Sequence, residues 1–327
     1  FLVFAFLLIS IQKVNAAALA CNANEIAQTF TFGGGNAWTG GSSTNNYTVG
    51  TAPNAVTLTF TNTQVSTAIA GDPRLRQSGN NANALVISGT NSSVGATLST
   101  LALSTNRTIN KLTYNVYDMD YSASGASNFR DRIVATRNGG GFPTAMTAVT
   151  PANETITLAS GNARATNSAN CASTDTGCNI EIQFNTTGIS STSTQFLAAH
   201  ASGTTAQQSI GFGEYAWCLP KTTLTLRKVW VNAKVNDAVT VTATGLSSLS
   251  AVANTTSETD TGIAQDVTPG SAITIGETFT TGSSANYTSV LTCTGNATAL
   301  AGNVLTVNAA DTAIVCTQTN TRKSTTF

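Results

Sequence analysis

Three polar residues in the last third of the sequence stand where apolar ones are expected. In Leu224-Thr225-Leu226-Arg227-Lys228-Val229-Trp230, strand alternation puts Leu224, Leu226, Lys228 and Trp230 on one face. Further on, Ile273, Ile275, Glu277 and Phe279 share a face, and so do Ile314, Cys316, Gln318 and Asn320. The first two faces are otherwise apolar and should point into a core. An ammonium or a carboxylate there is costly unless it is paired or neutralised, and burial disfavours the charged form of either. A neutral amine beside a carboxamide can attack it. A protonated Glu277 can polarise the carbonyl and shuttle protons while ammonia leaves. The product is a Lys228–Asn320 isopeptide crosslink, nucleophilic chemistry done once on the chain itself, with no external substrate. The same residues admit a plainer reading, in which Lys228 snorkels at a sheet edge, Glu277 makes an ordinary ion pair and Asn320 belongs to a turn.

The motifs around these residues resemble the collagen-adhesin B-type (prealbumin-like) repeat domains of bacterial surface adhesins. Lys228 in Leu226-Arg227-Lys228-Val229-Trp230 resembles their first-strand lysine. Glu277-Thr278 followed by Tyr287 resembles their glutamate motif, without the Pro-Gly before the tyrosine. Thr319-Asn320-Thr321-Arg322-Lys323 is similar to their closing Asn-Thr motif. The resemblance covers the last third of the chain. It implies a prealbumin-like sandwich, an intramolecular isopeptide bond at these positions, and a role as a stalk module of adhesins and pili. A Cys293–Cys316 bridge would depart from that pattern.

A second constellation lies earlier. Tyr117-Asp118-Met119-Asp120-Tyr121 ends one strand pattern, and Asn128-Phe129-Arg130-Asp131-Arg132-Ile133 begins the next. Asp118, Asp120 and Asp131 could meet at one sheet edge as an oxygen-only ligand set, which suits calcium. The alternative is that they cap turns and pair with Arg130 and Arg132. The chain calls for no other cofactor. A glycosidase would need two opposed carboxylates, and Asp118, Asp120, Asp131 and Glu214 qualify by type alone. His200, the single histidine, lies among Ala198, Ala199 and Ala201 and has no legible nucleophile beside it. The glycine triplets lack the Lys-Ser/Thr of a phosphate loop.

The elements that must position these residues are strands. Of 327 residues only 9% are charged and the net charge is zero, which leaves no basic face for nucleic acid. Thr, Val and Ile recur in alternation between Gly/Asn/Ser turn clusters, and no run keeps a helical period. The expectation is an all-β chain: an N-terminal jelly-roll-like β-sandwich over residues 18–220, then an immunoglobulin-like/prealbumin-like β-sandwich over 221–323. Residues 324–327 read as the start of a further repeat or a terminal strand, because Lys323-Ser324-Thr325-Thr326-Phe327 echoes Lys221-Thr222-Thr223-Leu224. Phe1-Leu2-Val3-Phe4-Ala5-Phe6-Leu7-Leu8-Ile9 is too short an apolar run to span a bilayer. Followed by Val14-Asn15-Ala16-Ala17, it reads as a secretory signal over 1–17 that lacks its charged leader, with a lipid anchor at Cys21 as a weaker option.

Export makes the six cysteines candidates for disulfides, with fifteen pairings open. Cys171 and Cys178 flank a short polar loop, Cys293 and Cys316 share the last segment, and Cys21 and Cys218 remain. Zinc is the alternative, but the spacing matches no paired knuckle. The functional expectation is a non-enzymatic adhesin or stalk protein of the bacterial surface, binding a host or environmental glycan or protein. No membrane span is expected in the mature chain. The rivals are a carbohydrate-binding or glycan-active domain, using Trp38, Tyr47 and Tyr121 as exposed aromatics, and a self-associating filament subunit.

Overall fold

The computed structural model describes residues 19–23, 25–52, 54–90, 93–123, 129–166, 171–199, 207–308 and 310–324. The signal expected over 1–17, the strand start at Asn128, His200 and the terminal 325–327 lie outside the described residues. Among those described, regular structure is strand throughout, apart from the single 3₁₀ turns Leu158–Ser160 and Ser284–Asn286. The all-β expectation of two sandwiches in series holds.

In the first sandwich, 14 strands form one continuous hydrogen-bonded network around one core. The strand Thr97–Tyr117 ties its two sheets together. Residues before Lys111 pair with Val56–Gln64 on one side and Ile189–Ala198 on the other, whereas Leu112–Val116 pair with Ile180–Phe184. Lys111 itself takes φ +50°, the left-handed region, and there the strand turns from one sheet into the other. Inside, Phe30, Phe32, Tyr47, Phe60 and Tyr215 pack ring against ring, mostly edge-on, at centroid separations that suit aromatic pairs.

The second sandwich is smaller. Glu258–Thr261, Thr223–Val231, Ala313–Arg322 and Tyr287–Thr294 form one sheet in that order. Leu249–Val252, Ala238–Ala243, Ala272–Thr281 and Val304–Thr306 form the facing sheet. Leu224, Leu226, Trp230, Val239, Val241, Ile273, Ile275, Leu305 and Ile314 fill the space between them. The short strand Glu258–Thr261, Glu-Thr-Asp-Thr, is polar throughout and carries no apolar signal. Burial along Thr223–Val231 alternates at every residue, so this strand shows one clean face to the core. Its neighbour Ala313–Arg322 runs parallel to it, with Lys228 beside Gln318 and Trp230 beside Asn320.

The strand Gln207–Pro220 leads directly into Thr223–Val231. At that junction Arg107 donates from Nη2 to the Pro220 carbonyl and to Thr222 Oγ1, both at 3.2 Å. All six cysteines are bridged as Cys21–Cys218, Cys171–Cys178 and Cys293–Cys316, the three pairings preferred from the sequence. No thiolate is left for zinc. The Cys21–Cys218 bridge spans 197 residues and so removes much chain entropy from the unfolded first sandwich. Replacing both cysteines by Ala is expected to lower the stability of that sandwich by about 2–5 kcal/mol. A urea titration should show this as an earlier first transition, with the transition of the second sandwich unmoved.

Candidate functional site

Lys228 is wholly buried, with 0% exposure, on the inner face of Thr223–Val231. Its Nζ donates to Glu277 Oε1 at 2.6 Å and lies 4.5 Å from the centroid of the Trp230 ring. Glu277 reaches it from Ala272–Thr281 in the facing sheet. Asn320, also 0% exposed, follows from the parallel strand and donates from Nδ2 to Glu277 Oε2 at 2.9 Å. One carboxylate thus holds the amine on one oxygen and the carboxamide on the other. The three residues named from the alternation pattern meet at one point, in the core and not at a sheet edge. Burial pushes the Lys228 ammonium down toward the neutral amine, while the Glu277 hydrogen bond and charge, with Asp260 further off, oppose it. Chemically, the cluster can move a proton from Nζ to the carboxylate and present an amine lone pair beside an amide.

Two further residues complete the surroundings. Ser289, on the edge strand Tyr287–Thr294, lies directly opposite Asn320 in the antiparallel register and donates from Oγ to Asn320 Oδ1 at 2.7 Å. Sequence reasoning passed over Ser289. Glu277 therefore faces the nitrogen of the Asn320 amide, and its carbonyl oxygen faces Ser289. Tyr287 is not one of the polar contacts of the cluster. Its hydroxyl donates to Asp237 Oδ2 at 2.7 Å and accepts from the Lys234 amide at 3.0 Å, which anchors the loop after the Lys228 strand.

The acidic constellation of the first sandwich is only partly assembled. Asp120 and Asp131 meet: the Asp120 amide donates to Asp131 Oδ2 at 3.1 Å, and the Asp131 amide donates to the Asp120 carbonyl at 3.0 Å. With its amide turned to satisfy both atoms, Gln208 donates to Asp131 Oδ1 at 3.1 Å. Asp118 does not close a cage around them. Among the described residues, the one gathering of three potential metal ligands within 4.8 Å is Cys21, Glu25 and Cys218, whose sulfurs are bonded to each other. Arg130 instead stacks over Tyr121, and Arg132 donates to Asn162. Burial and then the charge of Asp118 push the Asp120 carboxyl up, and burial and then the charge of Asp120 push the Asp131 carboxyl up. Burial pushes Asp118 up to about 6. Glu154, buried in Glu154–Thr157 with neither oxygen hydrogen-bonded, is pushed up to about 8 by burial alone.

The aromatic platform expected of a glycan binder is not there as drawn from the sequence. Trp38 and Tyr47 are core residues, packed with Phe30, Phe32 and Phe60, and Tyr121 lies under Arg130. Their types fit a sugar face, but the inward side of their segments claims them. Glu214 accepts from Asn115 Nδ2 at 2.6 Å.

No protein-family model matches the sequence. No curated protein matches it significantly. Among solved structures, the major pilin protein T-13 of Streptococcus pyogenes is 10% identical over 67% of this chain and 99% of its own, at a TM-score of 0.18. The pilus 2b backbone protein of group B streptococcus is 10% identical over 72% and 98%, at a TM-score of 0.17. The full-length major pilin RrgB of Streptococcus pneumoniae is 10% identical over 78% of this chain and 39% of its own, at 0.16. At such TM-scores the chains do not superpose as wholes, and the functional reading stands on the geometry of the cluster itself.

The buried acids set the pH response of the first sandwich. A carboxyl kept protonated in the fold but ionised in the unfolded chain costs stability as pH rises between the two pKa values. With Asp118 near 6 and Glu154 near 8, stability should fall from about pH 4 to about pH 8. Melting followed at pH 5 and pH 8 should show the first transition lower at pH 8, and Asp131→Asn should flatten the slope. A wild-type melting temperature that does not change between these pH values would contradict the assignment.

Proposed function

We propose that this chain is a non-enzymatic, load-carrying structural protein of the bacterial surface, a stalk segment of an adhesin or fibre, whose second sandwich closes itself with a Lys228–Asn320 isopeptide bond. The observation that carries the reading is one buried carboxylate, Glu277, holding the Lys228 amine and the Asn320 amide on its two oxygens. Nζ passes a proton to Glu277 Oε1 and its freed lone pair attacks Cγ of Asn320. The adduct then loses Nδ2. That nitrogen gains the proton that Nζ gives up, relayed through the carboxyl, and departs as ammonia. One C–N bond forms and one breaks, nothing is oxidised or reduced, and Glu277 is left protonated.

The covalent map supports the mechanical part of the reading. The Lys228 strand opens the second sandwich and the Asn320 strand closes it, side by side and parallel. Tension on the chain ends would shear these two strands past each other. A bond between them carries the load across and leaves residues 229–319 slack. In the first sandwich the Cys21–Cys218 disulfide does the same for residues 22–217. The covalent path under tension then runs from Cys21 to Cys218, along the junction to Lys228, and across to Asn320. Low charge and Thr-rich strand surfaces fit an extracellular setting.

Single-molecule pulling of the full chain from its two ends tests this function. Oxidised wild type should lengthen by neither sandwich. Asn320→Ala should add the unfolding of residues 229–319 less the loop 294–315 held behind the Cys293–Cys316 bridge, roughly 230–250 Å at full extension, and reduction should release that loop and the first sandwich. If oxidised wild type and Asn320→Ala show the same unfolding extension, the load-path reading is wrong.

A further inference from the structure

We propose that Ser289 is a catalytic residue of the crosslinking reaction, its hydroxyl serving as the oxyanion donor for the Asn320 carbonyl. This rests on the isopeptide reading above and adds a residue to it. Attack on Cγ moves negative charge onto Oδ1, and a reaction in a dry core needs a donor aimed at that atom. The sequence assigned this task to Glu277, but the carboxyl is engaged elsewhere: Oε1 takes Nζ and Oε2 takes Nδ2. The donor that faces Oδ1 is Ser289 Oγ at 2.7 Å, within the range of an oxyanion contact.

Two features argue that this is more than a buried carbonyl finding a partner. Ser289 sits on an edge strand and is itself exposed, so water could satisfy its hydroxyl, yet the hydroxyl turns inward to the wholly buried amide. Its position is also fixed to the residue. Cys293 lies opposite Cys316 in the same ladder, and four residues further along each strand Ser289 lies opposite Asn320. The disulfide thereby locks the register that aims the hydroxyl. Beside the cluster, Glu277, Ser289, Gln318 and Asn303 line an open groove of about 710 Å³, which gives ammonia a way out. Roles are thus divided: Glu277 moves protons between the two nitrogens, and Ser289 stabilises the oxygen.

The test follows the full chain by intact mass after synthesis in an oxidising cell-free system is stopped. The hydrogens lost to the three disulfides mark folded molecules, and a further loss of one ammonia marks the crosslink, so the reaction is timed within the folded fraction alone. In Ser289→Ala, folded molecules should cross-link roughly 10²-fold more slowly than wild type, the usual loss for one oxyanion donor. Ser289→Thr, which restores the hydroxyl, should react at the wild-type rate; a serine with a purely structural role would change melting but not this rate. If Ser289→Ala loses ammonia as early as wild type, the Ser289 role is overturned while the crosslink stands. If folded wild type never loses ammonia, both fall.

Discussion

Taking an ammonium group out of water costs several kcal/mol unless a counter-charge goes with it, and removing that counter-charge leaves the cost uncompensated. The second sandwich is built around such a placement. Lys228 occupies a core position between Leu226 and Trp230, and the carboxylate it donates to is Glu277, brought from the opposite sheet. That pair fixes how the two sheets stack, because Glu277 meets Nζ at one sheet-to-sheet offset. The neighbouring strand must then present something that the second carboxylate oxygen can accept from, and Asn320 does so. A pair of apolar residues would fill the same volume at lower cost. The arrangement makes physical sense when the charge is temporary, since crosslinking turns an amine and a carboxamide into one neutral amide and removes the buried ammonium altogether.

The remaining covalent design follows the same logic of placing bonds where the fold would otherwise yield. Parallel first and last strands are the elements that tension reaches first. The Cys293–Cys316 bridge joins the last strand to the sheet edge, and Cys21–Cys218 joins the two ends of the first sandwich. In that larger body the polar burden is carried differently. Asp120, Asp131 and Glu154 are buried, burial disfavours their ionised forms, and stability leans toward acid.

Much of this was legible in the sequence. Period-two alternation put Lys228 and Glu277 inward, because the apolar residues two positions either side of each left no other face free. The cysteine pairings followed from position along the chain. What escaped depended on register, which alternation does not encode. Ser289 could have been found by counting: once Cys293 and Cys316 are taken as a cross-strand pair, four steps in opposite directions reach Ser289 and Asn320. The meeting of Asp120 with Asp131 but not Asp118 depends on the turn at Asp118, whose φ of +64° the sequence did not announce. Trp38 and Tyr47 misled for a related reason, since residue type fits a sugar-binding face and a core equally well.

The central claim is a covalent one, and peptide mapping reads it directly. The mature chain would be reduced, alkylated, digested with trypsin and sequenced by tandem mass spectrometry. The account predicts a branched peptide joining the Lys228 strand to the Asn320 strand, one ammonia lighter than its parts, and no cleavage after Lys228. Recovery of two separate linear peptides, cut after Lys228 and carrying an intact Asn320, would contradict it.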